Sequence, residues 1–212
     1  SIDLQSLYPN LIITQNNSLE TQIAIVQEWE KYHLPSKIGD RINFSKLSNF
    51  GYLDDDVKLV VSPIVHELFS EQSSAPIVMS KGQFIDYIKE HEATISSKGV
   101  IFTTKKRGIV PEILEEWFNE RLSYRSEMKK FDSDDEEYVL LDRKQLITKI
   151  LLNSLYGVLL LPSFRYYSKL SGESVTLSGQ TVILFTDVLV NMYYREMLGD
   201  KYKTNCVIYQ DT

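Results

Sequence analysis

Two aspartates near the ends of the chain could bind a metal ion together. Asp3 stands where a predicted strand ends, and Asp211 follows the mainly apolar segment 207–210, which is predicted to be another strand. Carboxylates at the ends of neighbouring strands form an oxygen site that suits Mg²⁺, an ion that keeps positions for water and substrate phosphates. Taken singly, each aspartate is equally typical of a residue that caps a turn. The pair therefore predicts a magnesium site on the condition that the two strands are neighbours.

A second group of candidate residues lies on two predicted helices. Arg121 and Arg125 are four residues apart and share one helix face. Lys149, Asn153 and Tyr156 follow at i, i+4 and i+7 on the next helix and also share a face. If the two faces meet, the cations could hold a triphosphate while the tyrosine ring contacts its base or sugar. Periodicity by itself favours the alternative, two amphipathic helices with solvated basic faces.

Three long helices and several short elements are predicted to position these side chains. The helix over 111–131 begins with Pro111 in its first turn and glutamates nearby, where the helix dipole favours anions. A loop at 132–137 separates it from a helix over 142–159, so the two form an antiparallel hairpin. A third long helix covers 173–198 and ends at Gly199. The shorter predictions are helices over 9–16, 21–32 and 81–91 and strands within 54–63, 100–104 and 164–168.

Composition and charge narrow the class of protein. The 212 residues are 43% hydrophobic with six Pro and nine Gly, which is typical of a globular protein and not of a disordered one. A net charge of −6 argues mildly against binding to nucleic acid, but basic residues concentrate in the middle of the chain. The single Cys206 forbids an internal disulfide, so we expect a cytoplasmic protein. No uninterrupted apolar run reaches the roughly 18 residues that span a bilayer, so we expect no membrane partner.

Three ordered motifs carry a resemblance to a known family. Asp3-x-x-Ser6-Leu7-Tyr8-Pro9 resembles motif A of the family B DNA polymerases, and Lys149-x-x-x-Asn153-Ser154-x-Tyr156-Gly157 resembles their motif B. Tyr209-Gln210-Asp211-Thr212 is similar to the start of motif C. Residues 108–121 and 164–180 are similar to the corresponding stretches of T-even-type bacteriophage polymerases, whereas residues 18–100 match poorly.

The resemblance implies a fold and a division of the chain. The fold would be α+β: part of a right-hand-shaped polymerase, with an antiparallel palm sheet, packed helices and an antiparallel two-helix fingers hairpin. Residues 1–108 would form the first part of the palm with an insertion, and 109–160 the fingers. Residues 161–212 would return to the palm and stop within motif C.

The resemblance also assigns roles to individual residues in template-directed DNA synthesis. Two Mg²⁺ ions would be held by the carboxylates of Asp3 and Asp211 and the carbonyl of Leu4, and Asp3, Asp211 and Lys149 would be catalytic. The nucleotide would be held by groups from distant parts of the chain: Ser6, Leu7, Tyr8, Arg121, Arg125, Lys149, Asn153 and Tyr156. Tyr8 would exclude a 2′-hydroxyl, and Tyr156 with Gly157 would pack against the nascent base pair. Arg125 stands where bacteriophage relatives have a lysine.

The partners that the resemblance implies are primer–template DNA, deoxynucleoside triphosphates and the rest of the polymerase: exonuclease, thumb and end of the palm. The second acidic residue of motif C would follow Thr212, so we expect these 212 residues to be inactive alone. Two alternatives remain open, a natural subunit of a split polymerase and a non-catalytic relative that binds nucleic acid. A viral origin would place the protein in the host cytoplasm.

Overall fold

A five-stranded antiparallel sheet and five α-helices form the described part of the chain, which in the computed structural model comprises residues 6–32, 50, 52–64 and 75–201. The strands are β1 (Gln22–Val26), β2 (Lys58–Pro63), β3 (Ile77–Ser80), β4 (Ala93–Ile95) and β5 (Val100–Thr103), in the spatial order β3-β2-β1-β5-β4. The helices are α1 (Leu7–Gln15), α2 (Lys81–Glu90), α3 (Ile109–Met128), α4 (Glu136–Leu159) and α5 (Lys169–Leu198). The predicted α+β class is confirmed.

The strands of the sheet lie between Gln22 and Thr103, mostly in the region 18–100 that matches the polymerase motifs poorly. Burial alternates along β1, with Ala24 and Val26 inside, as expected for a strand that has one buried face. Helix α2 covers this face and buries Phe84 completely. Its start is capped reciprocally, because the Ser80 amide donates to Gln83 Oε1 at 2.9 Å and the Gln83 amide donates to Ser80 Oγ at 3.4 Å. This capping explains why the prediction of a helix over 81–91 is confirmed.

The helix predicted over residues 21–32 is wrong. Residues 22–26 instead form β1, which pairs antiparallel with both β2 and β5. Glu28, at φ 52°, turns the chain into a short 3₁₀ turn at Trp29–Tyr32. The physical reason is tertiary: the run Ile23-Ala24-Ile25-Val26 is short and rich in β-branched residues, and pairing on both sides outweighs a weak helical pattern.

The helices α1, α3, α4 and α5 enclose a second hydrophobic core. Its buried members are Ile12, Val110, Leu114, Leu152, Leu159 and Val175. Helices α3 and α4 are antiparallel, because later residues of α3 contact earlier residues of α4. Arg121 donates to Gln145, and the ring of Tyr124 contacts the ammonium of Lys144. The seven-residue connection 129–135 joins them, so α3 and α4 form the predicted antiparallel hairpin. Helix α4 begins at Glu136, six residues before the predicted start.

The strand predicted over residues 164–168 is also wrong. This segment is a series of turns, in which the Phe164 amide donates to Leu161 O at 2.8 Å and the Tyr167 amide donates to Phe164 O at 3.0 Å. Phe164 and Tyr166 pack their rings against the helical core, so the apolar residues here serve helix packing instead of a sheet. Helix α5 then begins at Lys169, with the Ser168 hydroxyl as its cap.

Buried polar side chains join the sheet layer to α5. Gln22 Nε2 on β1 donates to the hydroxyls of Ser168 and Ser171, at 3.0 and 2.5 Å. Between the β4–β5 turn and α5, the Ser96 hydroxyl donates to that of Ser174 at 2.9 Å. Small residues along α5 allow this close approach, because a large side chain would separate the two layers. The sheet and the helical layer are therefore packed on each other through specific hydrogen bonds.

Helix α5, extended to Lys201, is long and apolar enough to cross a membrane by length and composition. It is the one helix among the described residues that passes this test, which the core helix of a soluble protein also passes. Asp187 and Asn191 are buried on it and hydrogen-bond to each other at 2.8 Å. Buried polar side chains almost always have hydrogen-bond partners, and Asp187 and Asn191 supply partners to each other.

Candidate functional site

The first turn of α1 begins the candidate site. Ser6 precedes the helix in the left-handed conformation, with φ 55° and ψ 39°, and the Asn10 amide donates to Ser6 O at 3.1 Å. The amides of Leu7 and Tyr8 lie in the first turn, where amides lack acceptors within the helix and favour anions. Pro9 is buried at the third helical position and contributes no N–H. Two predicted nucleotide-binding residues, Leu7 and Tyr8, thus lie at a helix N-terminus, with Ser6 as its N-cap.

Tyr8 and Tyr156 meet, although they are far apart in sequence. Their ring centroids are 4.8 Å apart and the ring planes are inclined by 52°. Both side chains are partly exposed and pack against the helical core. The structure therefore brings the predicted motif A tyrosine into contact with the predicted motif B tyrosine.

The environment of Tyr156 raises the pKa of its hydroxyl. Burial is the main cause, and the neighbouring Tyr8 adds to it, while a hydrogen bond with Thr176 acts in the opposite direction. Since tyrosine already ionises near pH 10, Tyr156 stays neutral at physiological pH. Its ring is therefore a neutral aromatic surface.

Arg121 is buried in the hairpin, at 8% exposure. Its Nε donates to the amide oxygen of Gln145 on α4 at 3.4 Å, and Gln145 Nε2 donates to Asp142 Oδ1 at 2.9 Å. Burial lowers the pKa of the Arg121 guanidinium, and the charge of the exposed Arg125 lowers it further. An anion bound beside these two arginines would favour the charged guanidinium of Arg121 and so oppose both effects.

Gln145 and Asp142 were missed by the sequence analysis. The signal that could have found them is their spacing of three residues, which places them on the same side of α4. Gln145 also precedes Lys149 by one helical turn, so it continues the polar stripe toward the N-terminal end of α4. Neither residue type is specific enough to identify a phosphate site without the contact to Arg121.

Lys149 and Asn153 lie exposed on α4, so neither belongs to the hydrophobic core. Gly157 is exposed as well, and a Cβ added there would meet no atom within 4 Å. Within the described ranges, no hydrogen bond or ion pair joins Lys149 or Asn153 to the two arginines of α3. The stripe of predicted nucleotide-binding residues therefore remains open to solvent.

The predicted metal ligands Asp3, Leu4 and Asp211 lie outside the described residues. In the part of the chain that is described, no group of three or more His, Cys, Asp or Glu side chains could hold a metal ion. The predicted magnesium site thus has no ligand set among residues 6–32, 50, 52–64 and 75–201, and its proposed ligands remain a prediction.

Comparison with known proteins identifies the family. The family model for DNA polymerase family B matches residues 1–212. DNA polymerase 2 of Aeropyrum pernix is 30% identical over 170 residues, which are 74% of this chain and 21% of that protein. The DNA polymerase of Fowlpox virus is 27% identical over 189 residues, covering 89% of this chain and 16% of that protein.

A solved structure shows the same fold. The family B DNA polymerase from the archaeon Pyrobaculum calidifontis superimposes with a TM-score of 0.51 at 23% identity, over 93% of this chain and 18% of that one. The chain thus matches about a fifth of the length of each of these three proteins. Since a single family model covers every residue, the chain belongs to DNA polymerase family B.

Proposed function

We propose that this chain is the nucleotide-binding part of a polymerase that extends a primer 3′-hydroxyl with deoxynucleotides, as directed by a DNA template. The observation that carries the proposal is the contact between Tyr8 and Tyr156. It joins the residues that resemble motifs A and B at one place, next to the first turn of α1. A two-sided site of this kind suits a nucleotide, whose sugar and base need apolar surfaces while its phosphates need amides and cations.

Each segment takes a part in the proposed polymerase. Residues 1–108 are the first part of the palm with its insertion, residues 109–160 the fingers and residues 161–212 the second part of the palm. The α3–α4 hairpin supports the fingers assignment, since it presents Arg121 and Lys149 on adjacent helices. A hairpin that moves as one body could bring those cations to the nucleotide and withdraw them again.

The residues of this chain would bind and orient the nucleotide. The amides of Ser6 and Leu7 would donate to the phosphates, and Tyr8 would lie beneath the sugar. Three side chains of the hairpin would hold the β- and γ-phosphates: Arg121, Lys149 and Asn153. Arg125 would add a further cation to the nucleotide site. Tyr156 and Gly157 would pack against the nascent base pair, where the open space above Gly157 leaves room for it.

The chemistry would depend mainly on positioning and charge. Two Mg²⁺ ions, with Asp3, Leu4 and Asp211 as proposed ligands, would supply Lewis-acid activation and neutralise phosphate charge when bound. The lysine and arginines of the hairpin would stabilise the charge that develops on the leaving pyrophosphate. Arg121 suits this task because Gln145 already directs its guanidinium.

Replacement of Tyr8 tests the proposal. In the complete polymerase, Tyr8→Ala removes the ring that would exclude a 2′-hydroxyl, so discrimination against ribonucleotides should fall by roughly tenfold or more. The measurement is kcat/KM for a deoxynucleotide and for its ribonucleotide in single-nucleotide primer extension. Tyr8→Phe is the matched control, because it keeps the ring and should keep the discrimination. Equal ratios in the parent and in Tyr8→Ala would contradict the assignment of the gate.

The proposal extends to three further properties: the subfamily, the partners and the cellular location. The segments 108–121 and 164–180 suggest a relationship to T-even-type bacteriophage polymerases within the family. The partners would be primer–template DNA, deoxynucleotides and the remaining domains of a polymerase about five times longer than this chain. We also propose a cytoplasmic location, which the single cysteine of the sequence favours.

A further inference from the structure

Gly179 lies in the interior of α5, where a glycine needs a reason. It is buried and belongs to a continuous helix of 30 residues, Lys169–Leu198. Glycine is a poorer helix former than alanine, because it loses more backbone freedom when the helix forms. A glycine that a helix keeps in a packed position therefore points to a neighbour that comes unusually close.

That neighbour is the first turn of α1. A methyl group at Gly179 would lie 3.1 Å from Tyr8 Cε1, 3.6 Å from Leu7 Cδ2 and 3.7 Å from Leu11 Cδ1. The first distance is shorter than the roughly 3.5–4.0 Å at which two carbon atoms are in ordinary contact. All three neighbours belong to α1, so α5 supports α1 directly at Gly179, and the nearest atom belongs to the Tyr8 ring.

The Tyr8 ring has a second wall in Tyr156, at 4.8 Å between ring centroids. Tyr156 packs against the helical core that includes Val175 of α5. A Tyr8 ring pushed away from α5 would therefore change its contact with Tyr156. The position of the Tyr8 ring is set by α5 on one side and by Tyr156 on the other.

We infer that Gly179 is a positioning residue for sugar discrimination: its missing side chain fixes where the Tyr8 ring lies. The inference rests on the proposed role of Tyr8 as the group that excludes a 2′-hydroxyl. It adds a residue of α5 to a site that the sequence motifs confine to α1 and α4. Gly179 acts through Tyr8 and does not touch the nucleotide.

The test is Gly179→Ala in the complete polymerase. A methyl group that shifts the ring by a few tenths of an ångström should change the ratio of kcat/KM for deoxynucleotide over ribonucleotide by about threefold or more, since small misplacements in a site have large effects. In the Tyr8→Ala background the same substitution should leave the ratio unchanged, because the nearest contact is gone. An effect that persists without the Tyr8 ring would overturn the inference.

Gly172→Ala is the matched control. It makes the same change two turns earlier on α5, where the methyl group would meet Leu160 Cδ2 at 2.0 Å and not Tyr8. We expect it to lower stability without altering the sugar ratio. An equal change of the ratio in both variants would mean that α5 packing in general is responsible, and Gly179 would have no special role.

The two proposals fail in different ways. If Tyr8→Ala leaves sugar discrimination intact, the gate itself is wrong. If Tyr8→Ala lowers discrimination and Gly179→Ala has no effect on it, only the role of Gly179 is wrong. Should Gly179→Ala prevent folding, the double variant Gly179→Ala/Tyr8→Ala decides: recovery of a cooperative thermal transition supports the contact, and continued failure contradicts it.

Discussion

At the scale of single residues, the two kinds of predicted cation differ in their surroundings. Arg121 is buried and directed by a neutral amide, whereas Lys149 is exposed on the neighbouring helix. A buried guanidinium with fixed donors gives geometric specificity, and an exposed ammonium adapts to a ligand that arrives from solvent. The two residues would therefore contribute differently to binding of the same triphosphate.

Lys149→Ala should weaken nucleotide incorporation without weakening the fold. The exposed ammonium makes no packing contribution to the core, so the midpoint of thermal unfolding should stay within about 2 °C of the parent. Loss of a phosphate contact in the transition state should lower kcat/KM for deoxynucleotides by about tenfold or more. Single-turnover primer extension measures the effect. Arg143→Ala, another exposed cation of α4, is the control and should retain parental kinetics; unchanged kinetics in Lys149→Ala would refute its role.

At the scale of elements, Asn16 joins the end of α1 to the start of α3. It caps α1 in the left-handed conformation, with φ 55°, and is almost fully buried. Its Nδ2 donates to Thr103 O at 2.7 Å and to Lys106 O at 2.8 Å, and its Oδ1 accepts from the Gly108 amide at 2.9 Å. One side chain thus fixes the connection through which the hairpin is attached to the sheet.

Asn16→Gly should be strongly destabilising. Glycine tolerates the positive φ, so the substitution removes the hydrogen bonds of the Asn16 side chain without adding backbone strain. Leaving the buried partners unpaired should lower the free energy of unfolding by about 2–4 kcal/mol. Urea denaturation measures the change. Glu28→Gly, at an exposed position with a similar φ of 52°, is the matched control and should change stability by less than about 1 kcal/mol. If Asn16→Gly leaves the free energy of unfolding unchanged, the hydrogen bonds of the Asn16 side chain do not stabilise the fold.

The ion pairs of Glu173 make one contact between α5 and the sheet dependent on pH. Nζ of Lys98, in the turn between β4 and β5, lies 2.9 Å from Glu173 Oε2. Nζ of Lys169 lies 3.7 Å from Glu173 Oε1. The hydrogen bond from Lys98 is the main cause that lowers the pKa of the Glu173 carboxyl below its ordinary 4.5. A lowered folded-state pKa contributes stability above pH 4.5, which is lost as the pH falls through the folded-state value.

Glu173→Gln should therefore lower the free energy of unfolding slightly at neutral pH and leave it unchanged in acid. Because a third of the side chain is exposed and solvent screens the pair, we expect a loss of at most about 1 kcal/mol at pH 7. The difference in unfolding free energy between parent and variant, followed from pH 7 to pH 3, should shrink toward zero below the ordinary pKa. The exposed Glu116→Gln serves as the control. A difference that grows on acidification would reverse the assigned sign.

At the scale of the whole molecule, two cores meet along polar contacts. The sheet with α2 encloses one core, and α1, α3, α4 and α5 enclose the other. Hydrogen bonds such as that from Ser96 Oγ, in the β4–β5 turn, to Ser174 Oγ of α5, at 2.9 Å, hold the layers in one arrangement. Directional contacts of this kind define a relative position that apolar packing alone would leave looser.

The 212 residues alone should not synthesise DNA. The matched residues span 21% and 16% of two related polymerases, so we expect duplex binding and catalysis to need further parts of the enzyme. A primer-extension assay with the purified chain, Mg²⁺ and all four deoxynucleotides should give no product. The complete polymerase is the positive control. Templated extension by these residues alone would overturn the expectation.

The long helices of the molecule could be predicted from local sequence. Helices α3, α4 and α5 have long apolar repeats and clear start and stop signals, such as Pro111 and Gly199, so their existence was predicted and only their ends moved. The motifs identified Tyr8, Arg121, Lys149 and Tyr156 as candidates because motif residues keep their spacing whatever surrounds them. The family followed from the order of those motifs.

Tertiary contacts decided the rest. Residues 22–26 became a strand because β2 and β5 pair with it, and residues 164–168 became turns because their rings pack on the helical core. No spacing in the sequence indicates that Gly179 supports Tyr8 or that Gln145 directs Arg121, since each contact joins residues from different helices. The sequence by itself determined which residues have side chains suited to binding a nucleotide or a metal ion. Only the folded chain decided which of them touch, because distances between elements depend on packing that no local pattern records.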